Sequence, residues 1–285
     1  MSRDPADLAP GLYVVATPIG AARDITLRAL DILRDADMLL AEDTRRARKL
    51  LEIHGIPLGG RPLLPYHDHN GAQQRPRILT ALGEGKRVAQ VSDAGTPLVA
   101  DPGYALVRAA IDAGHPVYSA PGASAVLAAL AVAGLPSDRF LFAGFLPPTD
   151  SARRKVLREL GEVPATLVFF ETGRRLLPSL RCLVSELGGE REAAVCRELT
   201  KKFEETVRGT LDDLVEAFGE REARGEIVLL VDRRRGGPAS EDVGEMLDEA
   251  LKEMTVKDAA RQVAEETGLP RRDVYQMALE RKGKS

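Results

Sequence analysis

The chain has 285 residues, 44% hydrophobic and 29% charged, with a formal net charge of −3. That length admits two domains with separate cores, and the composition is that of a soluble globular protein rather than a disordered or fibrous one. A slightly negative molecule offers no overall field to attract nucleic acid, so any such contact must come from local basic patches.

No apolar run approaches membrane-spanning length, and the opening MSRDPADLAP lacks the apolar core of a signal peptide, so no membrane association and a cytoplasmic location are expected. Cys182 and Cys196, the only cysteines, show no metal-ligand spacing and are expected to be reduced.

Strand-like and helix-like runs alternate from Gly11 onward, which predicts an α/β architecture. GLYVVAT (11–17) is the first strand, ending in Pro18-Ile19-Gly20. A helix follows with Thr26 as its cap and Leu27, Leu30, Ile32 and Leu33 as its apolar face. A short strand at 38–41 is closed by Glu42-Asp43-Thr44-Arg45, then come a helix near 45–54, an extended piece near 63–66 and a helix near 73–83. Past a strand at 87–91 the pattern predicts a helix from about 102 to 113, a strand at 116–119 and the turn Ala120-Pro121-Gly122-Ala123-Ser124. The helix at 123–133 is small and apolar throughout, and burial on most of its faces is expected. In the second half, strands are predicted at 140–146, 165–171, 193–199, 204–210 and 225–232. The strand at 204–210 carries alternating charge, as an edge or antiparallel strand would, so a mixed sheet is expected there. RRRGGPAS (233–240) reads as a linker to three short helical patterns. Two α/β domains at 11–120 and 121–232, with a ligand cleft between them, and a helical tail at 241–285 follow from this pass.

VSDAGTPLVADPG (91–103) is the most informative stretch. Gly95 and Gly103 let the backbone turn sharply and approach a ligand, while Pro97 and Pro102 stiffen the path. Asp93 stands at the carboxyl end of a strand, where open α/β sheets place their ligands. If the strands ending at Pro18, Asp93 and Pro121-Gly122 are parallel neighbours, their tips converge on one crevice. None of these loops matches GxGxxG or a P-loop, and GEGK at 83–86 lacks the phosphate-cradle spacing, so phosphate binding is disfavoured. Asp93 suits a ribose or an amine, and Ser124 with the amide of Ala125 suits a carboxylate at a helix start.

TPIG, AEDTR (41–45), HDHN (67–70), VSDAGTP, DPGY, AGLPSDRF (133–140), GFLP and RELTK (197–201) occur in this order. Together they resemble the small-subunit ribosomal RNA methyltransferase I group of the tetrapyrrole-methylase-like superfamily, over about 11–232. The resemblance implies the two-domain tetrapyrrole-methylase-like (class III) methyltransferase fold and a homodimer. It also implies S-adenosylmethionine held in the cleft, and 2′-O-methylation of cytidine 1402 at the decoding centre of 16S rRNA. By position, Pro18, Asp93, Ala94, Gly95, Thr96, Ser124 and Ala125 would line the cofactor cleft, with Phe170, Glu171, Gly225 and Glu226 approaching from the second domain. Two departures stand out. Ala21 replaces the asparagine of TPIGN, and Phe170-Glu171-Thr172-Gly173-Arg174-Arg175 replaces YES-x-HR, keeping the acid and the last arginine but losing the tyrosine and histidine.

An in-line methyl transfer needs mainly positioning, with a general base for the 2′-hydroxyl. Glu42, Asp43, Glu171 and, if deprotonated by its neighbours, Lys201 are the candidates; Glu42 and Asp43 read equally well as helix caps. Arg45 and Arg46 with Arg48 and Lys49, and Arg153, Arg154 and Lys155 at a helix start, are candidate phosphate contacts or ordinary solvated charge. His67, Asp68 and Asn70 are RNA contacts by analogy with the family; two histidines are too few for a metal site, so none is expected. The tail VKDAARQVAEETGLPRRDVYQMALERK (256–282) resembles a helix-turn-helix with Ala259, Val263, Leu269, Val274 and Ala278 as its core. Methylation of a tetrapyrrole or other small substrate, and a non-catalytic nucleic-acid-binding module, are the alternatives. The first would want an apolar trough, and the chain has only 7 Phe and 5 Tyr.

Overall fold

The computed structural model describes residues 8–67, 69–219, 221, 223–233, 240–267 and 269–282, with 240–242 described by backbone alone. Its first sheet is formed by β1 (Gly11–Val15), β2 (Met38–Ala41), β3 (Leu63–Pro65), β4 (Arg87–Val91) and β5 (Val117–Ala120), in the order β3-β2-β4-β1-β5. Every pairing in it is parallel. Both faces are covered, which is why these strands read as unbroken apolar runs rather than alternating ones. Alternate residues go to opposite faces: Tyr13, Val15, Leu39 and Ala89 pack under α1 (Leu27–Asp35) and α2 (Thr44–Ile53). Leu12, Leu40 and Val88 pack under α3 (Gly71–Gly83) and α4 (Tyr104–Asp112). The Thr26 hydroxyl accepts the Ala29 amide at 3.1 Å and starts α1 as the cap expected there. Because the chain leaves β1 toward one face and the neighbouring β4 toward the other, a crevice opens at their carboxyl ends.

The second sheet is mixed. It contains β6 (Phe140–Phe145), β7 (Thr166–Thr172), β8 (Glu192–Arg197), β9 (Glu205–Thr210) and β10 (Glu226–Val231), ordered β6-β7-β10-β8-β9. Only β6 and β7 run parallel, and the charged β9 is an antiparallel edge. Leu157, Leu180 and Leu214 of α6 (Asp150–Gly161), α7 (Gly173–Leu187) and α8 (Leu211–Gly219) seal one face. On the other face, Val126, Ala129, Leu130 and Ala133 of α5 (Ala125–Ala133) meet Val168, Ala194, Cys196 and Leu230. The expected burial of α5 on most faces does not hold: Leu127 is 57% exposed and Val132 36%. One sheet can cover only one side of a helix, and uniform apolarity conceals which side that is.

The tail forms α9 (Ser240–Glu253), α10 (Val256–Thr267) and α11 (Arg271–Lys282) around Val243, Leu247, Val263, Val274 and Ala278. Of the predicted linker, 234–239 lie outside the described residues. Among the described residues no helix is long and apolar enough to cross a membrane.

Candidate active site

Four strand tips of the first sheet are tied into one rim. Thr17 and Gly95 exchange backbone hydrogen bonds at 2.8 and 3.0 Å, joining the β1 tip to the β4 tip. The Thr96 hydroxyl donates to the Ala123 carbonyl at 3.1 Å, linking the β4 tip to the turn after β5. The Asp43 amide donates to Asp93 Oδ1 at 2.9 Å, bringing in the tip of β2. Within the β4 loop, Leu98 (φ 72°) and Ala100 (φ 60°) hold left-handed conformations unfavourable to side-chain-bearing residues, each costing about 1–3 kcal/mol. Gly103 (φ 133°) closes the loop, and the Gln90 amide occupies the space its Cβ would need. Such strain persists only where surrounding contacts over-determine the backbone, and it clusters at functional sites.

The second lobe reaches this rim through the loop after β8, where Glu198 (φ 50°) and Thr200 (φ 63°) are left-handed as well. The Ala21 amide donates to Thr200 Oγ1 at 3.1 Å. A Cβ on Gly20 would stand 2.5 Å from that hydroxyl oxygen and 2.9 Å from the Leu199 carbonyl, so a glycine is what lets the loops meet. Between the lobes lies a cavity of about 380 Å³, within the small-molecule range. Its apolar side carries Ile19, Ala125, Phe145, Phe170, Cys196 and Val228. Phe145 and Phe142 stand edge-on to Phe170, 5.6 and 4.7 Å between ring centres. Its polar side carries six carboxylates, Glu42, Asp93, Asp101, Glu171, Glu198 and Glu226, against two cations, Arg46 and Lys201.

Of the expected cofactor residues, Asp93, Ala94, Ala125, Phe170, Glu171 and Glu226 lie on the wall, and so do Glu42, Lys201 and Arg46. Pro18, Gly95, Thr96, Ser124 and Gly225 do not line it. Gly95 and Thr96 splice the loops, Ser124 precedes α5 without a side-chain cap bond, and Gly225 makes room for the Glu198 side chain. Sequence reasoning missed Asp101 and Glu198, although both stand inside motifs it had singled out, DPGY and RELTK.

Three of the four base candidates are committed elsewhere. Asp43 caps α2 through the Arg45 amide at 2.8 Å, and both its oxygens hold the Arg45 guanidinium at 3.0 and 2.7 Å. Those bonds keep its carboxyl far below the usual carboxylate range. Glu171 is 1% exposed; it accepts the Ser179 hydroxyl at 2.6 Å and the Thr172 amide at 2.9 Å, and Arg175 lies at 3.2 Å. Strand alternation explains this: Phe170 faces the cleft with its partner Val228, and the next residue turns toward α7. Burial alone would lower the Lys201 ammonium, but its bonds to Glu226 at 2.8 Å and Glu198 at 2.9 Å outweigh that and hold it above the ordinary lysine value. A lysine so held is a fixed cation, not a base. Glu42 remains on the wall.

The candidate RNA contacts also divide. Arg153 is 4% exposed and donates to the carbonyls of Pro147 and Pro148, so it braces the loop before α6 and offers nothing to a phosphate. Arg154 is held by Asp150, Ser185 and Glu186, while Lys155 is exposed. Asn70 spends its amide on its own loop, accepting the His67 amide at 2.9 Å and donating to the Pro65 carbonyl at 3.0 Å. Asp68 lies outside the described residues. His67 and His69 stand edge to edge, 5.9 Å between ring centres, and among the described residues no group of three His, Cys, Asp or Glu is arranged to hold a metal ion. Arg45 is bound to Asp43 but points outward, and Arg46 reaches Asp93 Oδ2 at 3.4 Å.

Comparison with known proteins agrees with this arrangement. Residues 11–215 match the family model of the Tetrapyrrole (Corrin/Porphyrin) Methylases, and residues 237–282 match the RsmI C-terminal HTH domain. The chain is 49% identical over 282 residues to a ribosomal RNA small subunit methyltransferase I of Mesorhizobium japonicum, covering 98% of this chain and 94% of the relative. The Pseudomonas aeruginosa protein of that name is 45% identical, covering 96% and 98%. The Escherichia coli O157:H7 protein is 42% identical, covering 95% and 96%. Among solved structures, the methyltransferase CobJ superposes with a TM-score of 0.60 at 22% identity, covering 80% of this chain and 96% of its own. Diphthine synthase gives 0.59 at 18%, covering 78% and 90%; at such identities the likeness is one of fold. With both lobes and the tail so matched, the chain belongs to the ribosomal RNA small subunit methyltransferase I family, within the tetrapyrrole methylases.

Proposed function

We propose that this protein transfers a methyl group from S-adenosylmethionine to the 2′-oxygen of a cytidine ribose, cytidine 1402, in the 16S RNA of the small ribosomal subunit, acting in the cytoplasm as a homodimer. The observation that carries the reading is the charge of the cavity: six carboxylates face two cations around an apolar wall. Such a wall repels phosphate and favours a guest with positive charge and a flat apolar part, as a sulfonium nucleoside is. Phe170, Ile19 and Val228 would take the base, and Asp93 the ribose hydroxyls or the amine. Bound there, the sulfonium supplies an electrophilic methyl.

The protein's own part is mainly placement. The spliced tips fix Asp93 and Ala94, and the Gly20–Thr200 contact fixes the second wall against the first. Holding two reactants in line in this way removes much of the entropic barrier. Arg45, Arg46 and Lys155 are the exposed or rim cations left to meet the RNA backbone, and their local potential compensates for the negative net charge. The test is mass mapping of 16S RNA from cells with and without the gene. Loss of one ribose methyl is expected, and an unchanged methylation pattern would remove the function.

A further inference from the structure

We infer that Asp101 is the catalytic residue that accepts the proton of the ribose 2′-hydroxyl, a role that rests on the methyl-transfer reading above. The cavity holds six carboxylates, and neighbours take up four of them. Asp93 accepts the Asp43 amide with one oxygen and faces Arg46 with the other. Glu171 is bound to Ser179, Thr172 and Arg175. Glu198 accepts Lys201 and the Glu226 amide, and Glu226 shares the same ammonium. Asp101 differs from these four. Among the described residues no cation pairs with it, and its side-chain partner is the neutral Ser92 hydroxyl. Glu42, from the tip of β2, and Asp93, from the tip of β4, are the charged groups that act on it, and both are acids.

The backbone that carries Asp101 is fixed. Ala100 before it is left-handed, and the Pro102 carbonyl after it accepts the Gln90 amide at 3.2 Å, while Gly103 lies against the same amide. A carboxyl on such a loop pays little ordering cost when a substrate arrives. Burial first, and then the charge of Glu42, push its carboxyl up to about 6, so near neutral pH it is ionised yet a far better proton acceptor than an ordinary aspartate. In the step, the O2′–H bond breaks and its proton passes to an Asp101 oxygen. The freed pair on O2′ forms the bond to the methyl carbon, and the electrons of the broken carbon–sulfur bond remain on sulfur. Solvent then takes the proton from Asp101.

The test compares wild type with Asp101→Asn, Asp101→Glu and Glu42→Gln, using single-turnover methylation of assembled small subunits. Calorimetric S-adenosylmethionine binding and carboxyl carbon NMR of the ligand-free protein accompany it. Asp101→Asn is expected to lose about 10²-fold or more in rate, with cofactor affinity retained, and Asp101→Glu to recover part of the loss. The wild-type rate should climb with pH to a plateau above about 6, and the Asn variant should lose that dependence. In the NMR titration one carboxyl signal with a midpoint near 6 should vanish in Asp101→Asn. An Asn variant with wild-type rate and pH profile overturns the proposal and leaves the function standing. So does loss of cofactor binding as the sole defect, transfer of the pH effect to Glu42→Gln, or the absence of any signal titrating near 6. A wild type that methylates neither subunits nor free RNA overturns the underlying reading instead.

Discussion

The two sheets build one cavity by opposite means. In the parallel sheet every strand ends on the same side, so four tips with their polar loops collect at one edge, and Glu42, Asp93 and Asp101 gather there against Arg46 alone. In the mixed sheet, antiparallel neighbours alternate their ends, and the cleft meets the ends of β7 and β8 and the start of β10. What that sheet contributes is a strand face, the row Phe170, Val228 and Cys196, with its acids neutralised by Lys201 or turned away to Arg175. A polar site that must stay reactive is thus built on parallel tips, and an apolar wall is built on pleat.

This contrast can be broken from either side. The largest effect is expected at Glu171→Ala. Removing a buried carboxylate leaves Ser179 without its acceptor and Arg175 without its ion-pair partner, at a cost of about 2–4 kcal/mol allowing for the partial exposure of Arg175. Urea unfolding measures this, and a loss below about 1 kcal/mol would show that the second lobe's acids are not structural. Gly103→Ala comes next, since it forces a Cβ into the Gln90 amide and keeps the positive φ. About 1–3 kcal/mol and weaker cofactor binding are expected.

Gly20→Ala sharpens the comparison by separating the walls: with Thr200 and the Leu199 carbonyl in the way of a Cβ, S-adenosylmethionine affinity should fall roughly tenfold, about 1.4 kcal/mol, while the melting temperature moves little. Calorimetry decides it, and unaltered affinity would mean that the lobe contact does not shape the site.

A smaller effect is expected from Asp101→Asn on stability. A carboxyl raised in the folded state contributes stability below its unfolded value, and that contribution is lost as pH rises through about 6. The Asn variant should therefore be more stable than wild type by about 1–2 kcal/mol at pH 7.5, discounted for partial exposure, and about equal near pH 4. The smallest effect belongs to Asp43→Asn. Asparagine caps helices as well as aspartate does, so turnover and melting temperature should scarcely change; a collapse of turnover would return Asp43 to the chemistry.

Much of the scaffold was legible along the chain. The strands at 38–41 and 87–91 were read residue for residue, because a short apolar run bounded by polar residues leaves little choice of register. The tips were legible because glycine and proline cluster where parallel strands end. Arg153 was misread as part of a basic run, although its spacing from Leu157 and Gly161 already puts it on the buried stripe of α6. Asp43 left its two readings open until the Arg45 bonds decided between them.

Local pattern determined the alternation of strands and helices, the mixed character of the second sheet and the loops that bear the site, since backbone geometry and hydrophobic period act over a few residues. Tertiary structure alone decided which acids stay available. Whether a carboxylate meets a cation, a hydroxyl or another acid depends on partners 8 to 50 positions away, as with Ser179 for Glu171, Glu226 for Lys201 and Asp43 for Asp93. Electrostatic interaction depends on distance in space, and no spacing in the chain records it.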